Sequence, residues 1–174
     1  MRRPPLPCAL LLAAALAAGV MACVDATHDA QVAALGGEDP AVPAGPDHRP
    51  GQPCDVCHGG EGPAKLQFSV SGTTFMYGDN SSVPASGATV QIEDATGAFW
   101  HVTANSVGNF FILKSDWSPV FPITCPSIQD SQGNGSYSMT TLDNRAGSCN
   151  ACHTLQAGPN SVGPIFVHRS PDGG

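Results

Sequence analysis

Two copies of the pattern C-x-x-C-H restrict how this chain can fold. They comprise Cys54-Cys57-His58 and Cys149-Cys152-His153, offset by 95 positions. Cysteines at positions i and i+3 lie on the same side of one helical turn, so both sulfurs can reach one edge of a planar ligand. The imidazole of the next residue can then turn beneath that plane. We therefore predict a short helical or loop binding segment at residues 54–65 and another at residues 146–174.

Between the two motifs, short alternating runs of apolar and polar residues are divided by turn residues. Ala88, Val90 and Ile92 alternate with polar neighbours, and Leu66, Phe68 and Val70 do the same. Further runs cover residues 99–104, 109–113, 120–125 and 136–141. Turn residues separate them. Residues 66–145 are therefore predicted to form an all-β, antiparallel β-sandwich with six or seven short strands, carrying one motif segment at each end.

The N-terminal residues have the pattern of an export signal over residues 1–22. Arg2 and Arg3 precede an apolar run of 14 residues, 8–21. A run of that length is too short for a bilayer, which needs about 20 residues. The stretch Val20 to Cys23 resembles the lipobox of bacterial lipoproteins, whose cysteine is acylated. This resemblance implies a lipid anchor on Cys23 and a periplasmic or outer-membrane location; an ordinary signal peptide cleaved nearby is the alternative.

Residues 23–53 are predicted to be a flexible tether. Residues 24–53 contain 4 Gly and 5 Pro without a sustained apolar period. His28 and His48 lie in this segment and are expected to be solvated. Removal of residues 1–22 leaves 5 basic and 14 acidic side chains with no basic run, which argues against nucleic acid as a partner.

Both motifs resemble, without departure, the haem-attachment sequence of c-type cytochromes. In that family the cysteines form thioethers with haem vinyl groups and the histidine is the proximal iron ligand. The resemblance implies two haem c groups, with thioethers on Cys54, Cys57, Cys149 and Cys152 and iron on His58 and His153. It also implies a dihaem electron carrier that exchanges single electrons with redox partner proteins. The shaped polar distal pocket of a haem enzyme is not evident, so the chain is predicted not to be an enzyme.

Two other chemistries fit the cysteine pairs and stay open. Four thiolates in two C-x-x-C knuckles can bind one Zn²⁺ tetrahedrally. Export also permits disulfides, either local or between the two pairs. In either case the chain would be a cell-envelope binding or structural module. Zinc leaves the two motif histidines unexplained.

A haem iron used for electron transfer usually has a sixth ligand, and several side chains could supply it. The candidates are Met76, His101, Met139, His168 and His48. His101 alternates with Trp100 and Val102, so we expect an exposed strand histidine, whereas Met139 is expected to fill the core. Cys125 shares a strand face with Phe121 and Ile123 and is predicted to be a buried, inert thiol.

The stretch between the motifs resembles the carboxypeptidase regulatory-like, transthyretin-type β-sandwich. Residues 84–90, P-A-S-G-A-T-V, and residues 108–110, G-N-F, match the pattern of that family. Residues 72–74, G-T-T, depart from its first element. The resemblance implies a scaffold module with no catalytic residues of its own, so the chemistry of the chain is expected in the motifs.

Overall fold

The computed structural model describes residues 25–77, 83–135, 138–144 and 146–167. The helical elements in these ranges are α1 (Ala26–Ala34), α2 (Asp55–His58) and a 3₁₀ turn (Cys149–Ala151). The strands are β1 (Phe68–Met76), β2 (Thr89–Glu93), β3 (Phe99–Thr103), β4 (Asn109–Leu113), β5 (Thr124–Gln129) and β6 (Ile165–Val167). The predicted all-β class is confirmed. Among the described helices, none combines the length and the apolar character needed to cross a membrane. The export signal, Cys23 and His168 lie outside the described residues.

The strands form two small sheets. The first has the order β4-β1-β6 and the second the order β3-β2-β5. β1 pairs with β4 in antiparallel register, and β2 pairs in antiparallel register with both β3 and β5. β5 contains Pro126, which cannot donate a ladder hydrogen bond, and it lies at a sheet edge as that chemistry requires.

Both sheets contribute to one apolar core. Val90 and Ile92 of β2 are buried, as their alternation predicts, and they belong to the same cluster as Val70 of β1 and Phe110 of β4. Trp100 and Val102 pack against this cluster from β3, while His101 between them is exposed, as predicted. The period-2 pattern of these strands therefore fixes which side chains face the core.

β1 is buried along both of its faces, unlike the other strands. Six consecutive residues, 70–75, are buried. Alternate side chains of a strand point to opposite faces, so Val70 faces the core while Ser71 and Thr73 face the other way. The second face is covered by the segment before α2, where the Gly51 amide donates to Thr73 Oγ1 at 2.8 Å. β1 therefore forms the layer between the core and the first motif segment.

The C-terminal part of the chain differs from the predicted binding segment at residues 146–174, because it adds a strand to the first sheet. β6 pairs with β1 in parallel, with Thr74 opposite Ile165 and Met76 opposite Val167. Val167 is 0% exposed. A strand of three residues is too short to produce an alternating pattern, so it could not be predicted from the sequence. Residues 138–141 form no strand, and residues 136–137 lie outside the described part.

Two strand boundaries also differ from the prediction. β1 begins at Phe68 rather than near Leu66, which is 58% exposed. β5 begins at Thr124 and extends to Gln129, beyond the predicted run 120–125. Pro122 has no amide hydrogen, so regular pairing starts only after it.

The segment predicted as a tether docks on the β-sheet region over residues 46–52. Asn109 Nδ2 donates to the carbonyls of Pro46 at 3.2 Å and His48 at 2.9 Å. Asn105 Nδ2 donates to the Pro46 carbonyl at 2.7 Å. The proline-rich composition of residues 24–53 predicted a solvated chain. Instead, the asparagine side chains in and beside the β3–β4 turn donate hydrogen bonds to backbone carbonyls of this segment.

Two glycines in turns between strands allow a matched test of packing, one before β3 and one after it. Gly108 and Gly97 have φ values of 81° and 80°, a conformation that favours glycine. A Cβ at Gly108 would collide with the Thr74 carbonyl oxygen, whereas one at Gly97 would meet open space. We expect Gly97→Ala to lower the free energy of unfolding by about 1 kcal/mol and Gly108→Ala by about 3 kcal/mol. Urea denaturation measures both; equal losses would contradict the close approach of the β3–β4 turn to β1.

Acid stability supplies a second test. The Asp94 carboxylate accepts hydrogen bonds from the Thr96 hydroxyl at 2.6 Å and from the Val120 amide at 3.1 Å. These bonds lower the pKa of Asp94 to about 2. Because the folded-state pKa lies below the unfolded value of about 3.9, Asp94 stabilises the fold above that value and loses this effect as pH falls through 2.

We therefore expect Asp94→Asn to be less stable than the parent at pH 7, with the difference shrinking between about pH 4 and pH 2. Thermal unfolding followed by circular dichroism measures it. Exposed Glu61→Gln is the charge-matched control and should show no such convergence. A difference that is constant across this pH range would contradict the assignment.

Candidate haem-attachment sites

The first motif folds as a single helical turn. Cys54 precedes α2, and its carbonyl accepts hydrogen bonds from the amides of Cys57 at 3.1 Å and His58 at 2.8 Å. The two cysteines and the histidine of the motif therefore all belong to one helical turn. Gly59 follows directly and ends the turn.

The second motif repeats this geometry. The Cys149 carbonyl accepts hydrogen bonds from the amides of Cys152 at 3.2 Å and His153 at 2.9 Å. Both motifs therefore adopt the helical turn that their spacing predicts. The same pair of backbone bonds, made by residues 95 positions apart, indicates that the spacing itself determines the local structure.

Each motif histidine makes the same side-chain hydrogen bond. His58 Nδ1 lies 2.8 Å from the Leu66 carbonyl oxygen, and His153 Nδ1 lies 3.0 Å from the Gly163 carbonyl oxygen. A carbonyl can only accept, so Nδ1 carries the hydrogen and Nε2 presents a lone pair. Metal-ligating histidines typically donate their second ring N–H to a carbonyl or carboxylate in this way, which fixes the ring orientation.

The second motif borders a large apolar cavity. Its volume is about 830 Å³, within the range of pockets that bury small organic ligands. Cys149, Cys152 and His153 line it together with core side chains such as Ile92 and Phe110. Several exposed apolar residues, among them Leu142 and Val162, also line it, so the cavity reaches the surface. A planar apolar group attached to the two sulfurs would have apolar walls around it.

The first motif borders a smaller cavity whose lining includes the charged side chains of Glu38 and Arg49. Its volume is about 240 Å³, and Cys54, Cys57 and His58 line it with His48 and Arg49. The two motifs therefore share a backbone geometry but not an environment. Arg49 and Glu38 line the first cavity, whereas the second is lined by Asp143 and many core side chains.

Arg49 organises the segment in front of the first motif. Its guanidinium donates to the Leu35 carbonyl at 3.1 Å, to the Gly36 carbonyl at 2.6 Å and to Glu38 Oε1 at 2.7 Å. The bond to Arg49 lowers the pKa of Glu38. Arg49 thus ties the end of α1 to the wall of the first cavity.

Aromatic rings surround His58. Its ring stacks on Phe68 at a centroid distance of 4.1 Å, and Phe68 stacks on Phe111 at 4.7 Å. The His48 ring lies 5.9 Å away, tilted by 34°. His28 Nε2 lies 2.8 Å from the Val56 carbonyl oxygen inside the motif. The expectation that His28 and His48 are simply solvated is therefore wrong, because both are half-buried beside the first motif.

Burial keeps most of the motif thiols protonated. It raises the pKa of Cys149, with further contributions from nearby Cys125, Asp143 and Cys54. Burial likewise raises the pKa of Cys54 and Cys57, and a hydrogen bond with the Ser71 side chain partly offsets the effect at Cys54. Cys125 is buried with a pKa raised to about 12, so its predicted inertness agrees with the structure.

Unpaired polar atoms occur at both motifs. In the described ranges, three buried side-chain oxygens lack a hydrogen-bond partner, namely Asp55 Oδ1, Ser148 Oγ and Asn150 Oδ1. Asp55 and Asn150 follow the first cysteine of each motif, and Ser148 directly precedes the second motif. Buried polar groups without partners are rare in native proteins. Their concentration here fits segments that bind a group beyond the polypeptide.

The candidates for a sixth iron ligand are distributed unevenly. Met139 lines the large cavity with His153, and His48 lines the small one with His58. The Gly45 amide donates to His48 Nδ1 in a long contact of 3.5 Å. Met76 packs against the core, and His101 is exposed on β3; neither lines a cavity beside a motif.

The geometry gives no support to the two alternative cysteine chemistries. The described residues contain no group of three or more His, Cys, Asp or Glu side chains arranged to hold a metal ion, and all four motif cysteines are among them. The five cysteines in the described ranges are free thiols. Within the described ranges, the four motif thiols are thus neither clustered around one point nor joined as disulfides.

Several residues of the site carried no signal in the sequence. Arg49 is a single basic residue in a Pro-rich segment, and Ser71 and Gly72 look like ordinary strand positions. Their roles arise from contacts between segments far apart in the chain. The one available hint was the clustering of His48 and Arg49 five or six residues before Cys54.

The chain was compared with known proteins in three ways. No family model, no curated protein and no solved structure matches it.

Proposed function

We propose that this protein is an exported dihaem c-type electron carrier. Cys54, Cys57, Cys149 and Cys152 would form the thioethers, and His58 and His153 would bind iron through Nε2. Bound haem supplies a one-electron couple between ferric and ferrous iron. The polypeptide would bind and orient the two groups and limit the access of water. It would not act as an enzyme.

One observation carries the proposal. At both motifs the histidine Nδ1 is bonded to a backbone carbonyl, 2.8 Å away in one case and 3.0 Å in the other, so both Nε2 atoms are available to a metal. This common feature appears in two sites whose surroundings differ. A purely structural role for the cysteines would not require it. Haem attachment accounts for the cysteine spacing, the histidine position and the free Nε2 together.

The surroundings support the same reading. The cavity of about 830 Å³ provides apolar contact for a macrocycle on the second motif, and Met139 in its wall is the sixth-ligand candidate there. Arg49 in the lining of the first cavity suits the charged edge of such a group. We infer that the two irons experience different neighbouring charges, which are one determinant of potential.

The rest of the chain would deliver this carrier to its place of action. We infer that the two sheets form a β-sandwich of the transthyretin-type class, serving as a scaffold. Acylation of Cys23 would anchor it in the cell envelope, periplasmic or at the outer membrane. The acidic composition would attract redox partner proteins with basic surfaces.

The mass of the purified protein tests the proposal, because it reports how many haems are covalently bound. The chain purified from a host that matures c-type cytochromes is expected to carry two covalently bound haems. Cys54→Ser/Cys57→Ser and Cys149→Ser/Cys152→Ser are each expected to retain one. Cys125→Ser is the matched control, because this thiol lines the second cavity but belongs to neither motif and would form no thioether, so the variant should retain two. A parent protein with only polypeptide and lipid mass would refute the proposal.

The histidines are tested by spectroscopy. His153→Ala removes the proposed iron ligand but leaves both thioether positions, so we expect two haems by mass and a changed absorption spectrum for about half of them. His101→Ala is the control, since His101 is exposed and lines neither cavity. An unchanged spectrum in His153→Ala would contradict the ligand assignment.

A further inference from the structure

The two motif segments converge on one dipeptide of β1, although 91 residues separate Cys57 from Cys149. The first segment reaches β1 beside Cys54, the first cysteine of its motif, whose thiol pKa is affected by the Ser71 side chain. The Gly51 amide adds a bond of 2.8 Å to Thr73 Oγ1, two residues further along the same face. The first motif is therefore held on the outer face of β1.

The second segment reaches β1 at the same place. The Ser71 amide donates to the Gly147 carbonyl at 2.8 Å, and Ser148 forms a parallel bridge with Ser71. A Cβ on Gly72 would lie 3.0 Å from Cys149 Cβ and 2.6 Å from Phe110 Cζ. Gly72 therefore leaves room for Cys149 on the face of β1 that points to the core.

The motif segments also touch each other directly. A Cβ on Gly51, before the first motif, would lie 2.5 Å from Leu155 Cδ2, after the second. The described structure thus joins the segments in two ways: through β1 and through this side-chain contact. Their relative position does not depend on a single hydrogen bond.

We propose that Ser71 and Gly72 are positioning residues that hold the two attachment sites as neighbours across one strand, so that the two haems interact. This inference rests on the proposed function. Adjacent strand residues point to opposite faces, and layers packed on a sheet lie about 10 Å apart. The segment that carries the first motif is bonded to the outer face through Thr73, and Cys149 packs against Gly72 on the core face. The sites are consequently separated by about one layer of polypeptide.

Neighbouring chromophores reveal themselves by exciton coupling. Two coupled haems give a bisignate circular dichroism signal in the Soret region that differs from the sum of the separate groups. We expect this signal in the dihaem protein. We expect the summed spectra of Cys54→Ser/Cys57→Ser and Cys149→Ser/Cys152→Ser, each with one haem by mass, to lack it. Unfolding in guanidinium should abolish the signal while the covalent haem count stays at two.

A second variant tests the role of the strand. Gly72→Ala adds a Cβ against Cys149 and Phe110, so the bisignate signal should weaken or change shape with two haems still bound. Gly37→Ala is the matched control, because its Cβ would meet open space and its φ is ordinary, and its signal should equal that of the parent.

The outcomes separate this inference from the proposed function. Two haems by mass, with a parent spectrum equal to the sum of the single-haem variants, would overturn the inference and leave the proposed function standing. Absence of covalent haem from the parent would overturn both. A Gly72→Ala signal identical to the parent, with two haems bound, would overturn the role assigned to Gly72.

Discussion

The structure depends on the burial of β1 on both faces. Its core face contributes Val70 to the shared apolar cluster, and its outer face accepts the segment that carries the first motif. Its edge is extended by β6 and by the bridge to Ser148. A strand in this position needs small polar side chains, because Ser71 and Thr73 must satisfy hydrogen bonds where no water reaches them. Loss of this layer would separate both motifs from the domain.

Much of the sheet region could be predicted from the sequence. Apolar residues cluster in β4, and this run was predicted at its observed position, residues 109–113. Apolar and polar residues alternate in β2, and this pattern identified its buried side chains. β6 could not be located, because a run of three residues has no measurable period. The docking of residues 46–52 was missed for a different reason: it relies on amides of Asn105 and Asn109 that reach distant carbonyls.

The local geometry of the candidate sites was also predictable, whereas their placement was not. The i, i+3 spacing of the cysteines is compatible with a helical turn, and both motifs adopt that turn. The Nδ1 bonds of His58 and His153 come from carbonyls 8 and 10 residues downstream, a detail that spacing does not encode. The convergence on Ser71 and Gly72 depends on the topology of the first sheet. The sequence therefore predicted the local turn of each motif and left their arrangement in space open.

The account makes the two motifs equivalent in chemistry and different in environment. Both present a free Nε2 beside a pair of sulfurs, one pair in an apolar cavity and the other beside Arg49. The pyridine haemochrome spectrum tests this central claim most directly, because the reduced α band reports how many vinyl groups remain. Two haems per chain, with the band position of a macrocycle in which both vinyl groups have become thioethers, are predicted. A band typical of haem with intact vinyl groups, or no band, would contradict the account.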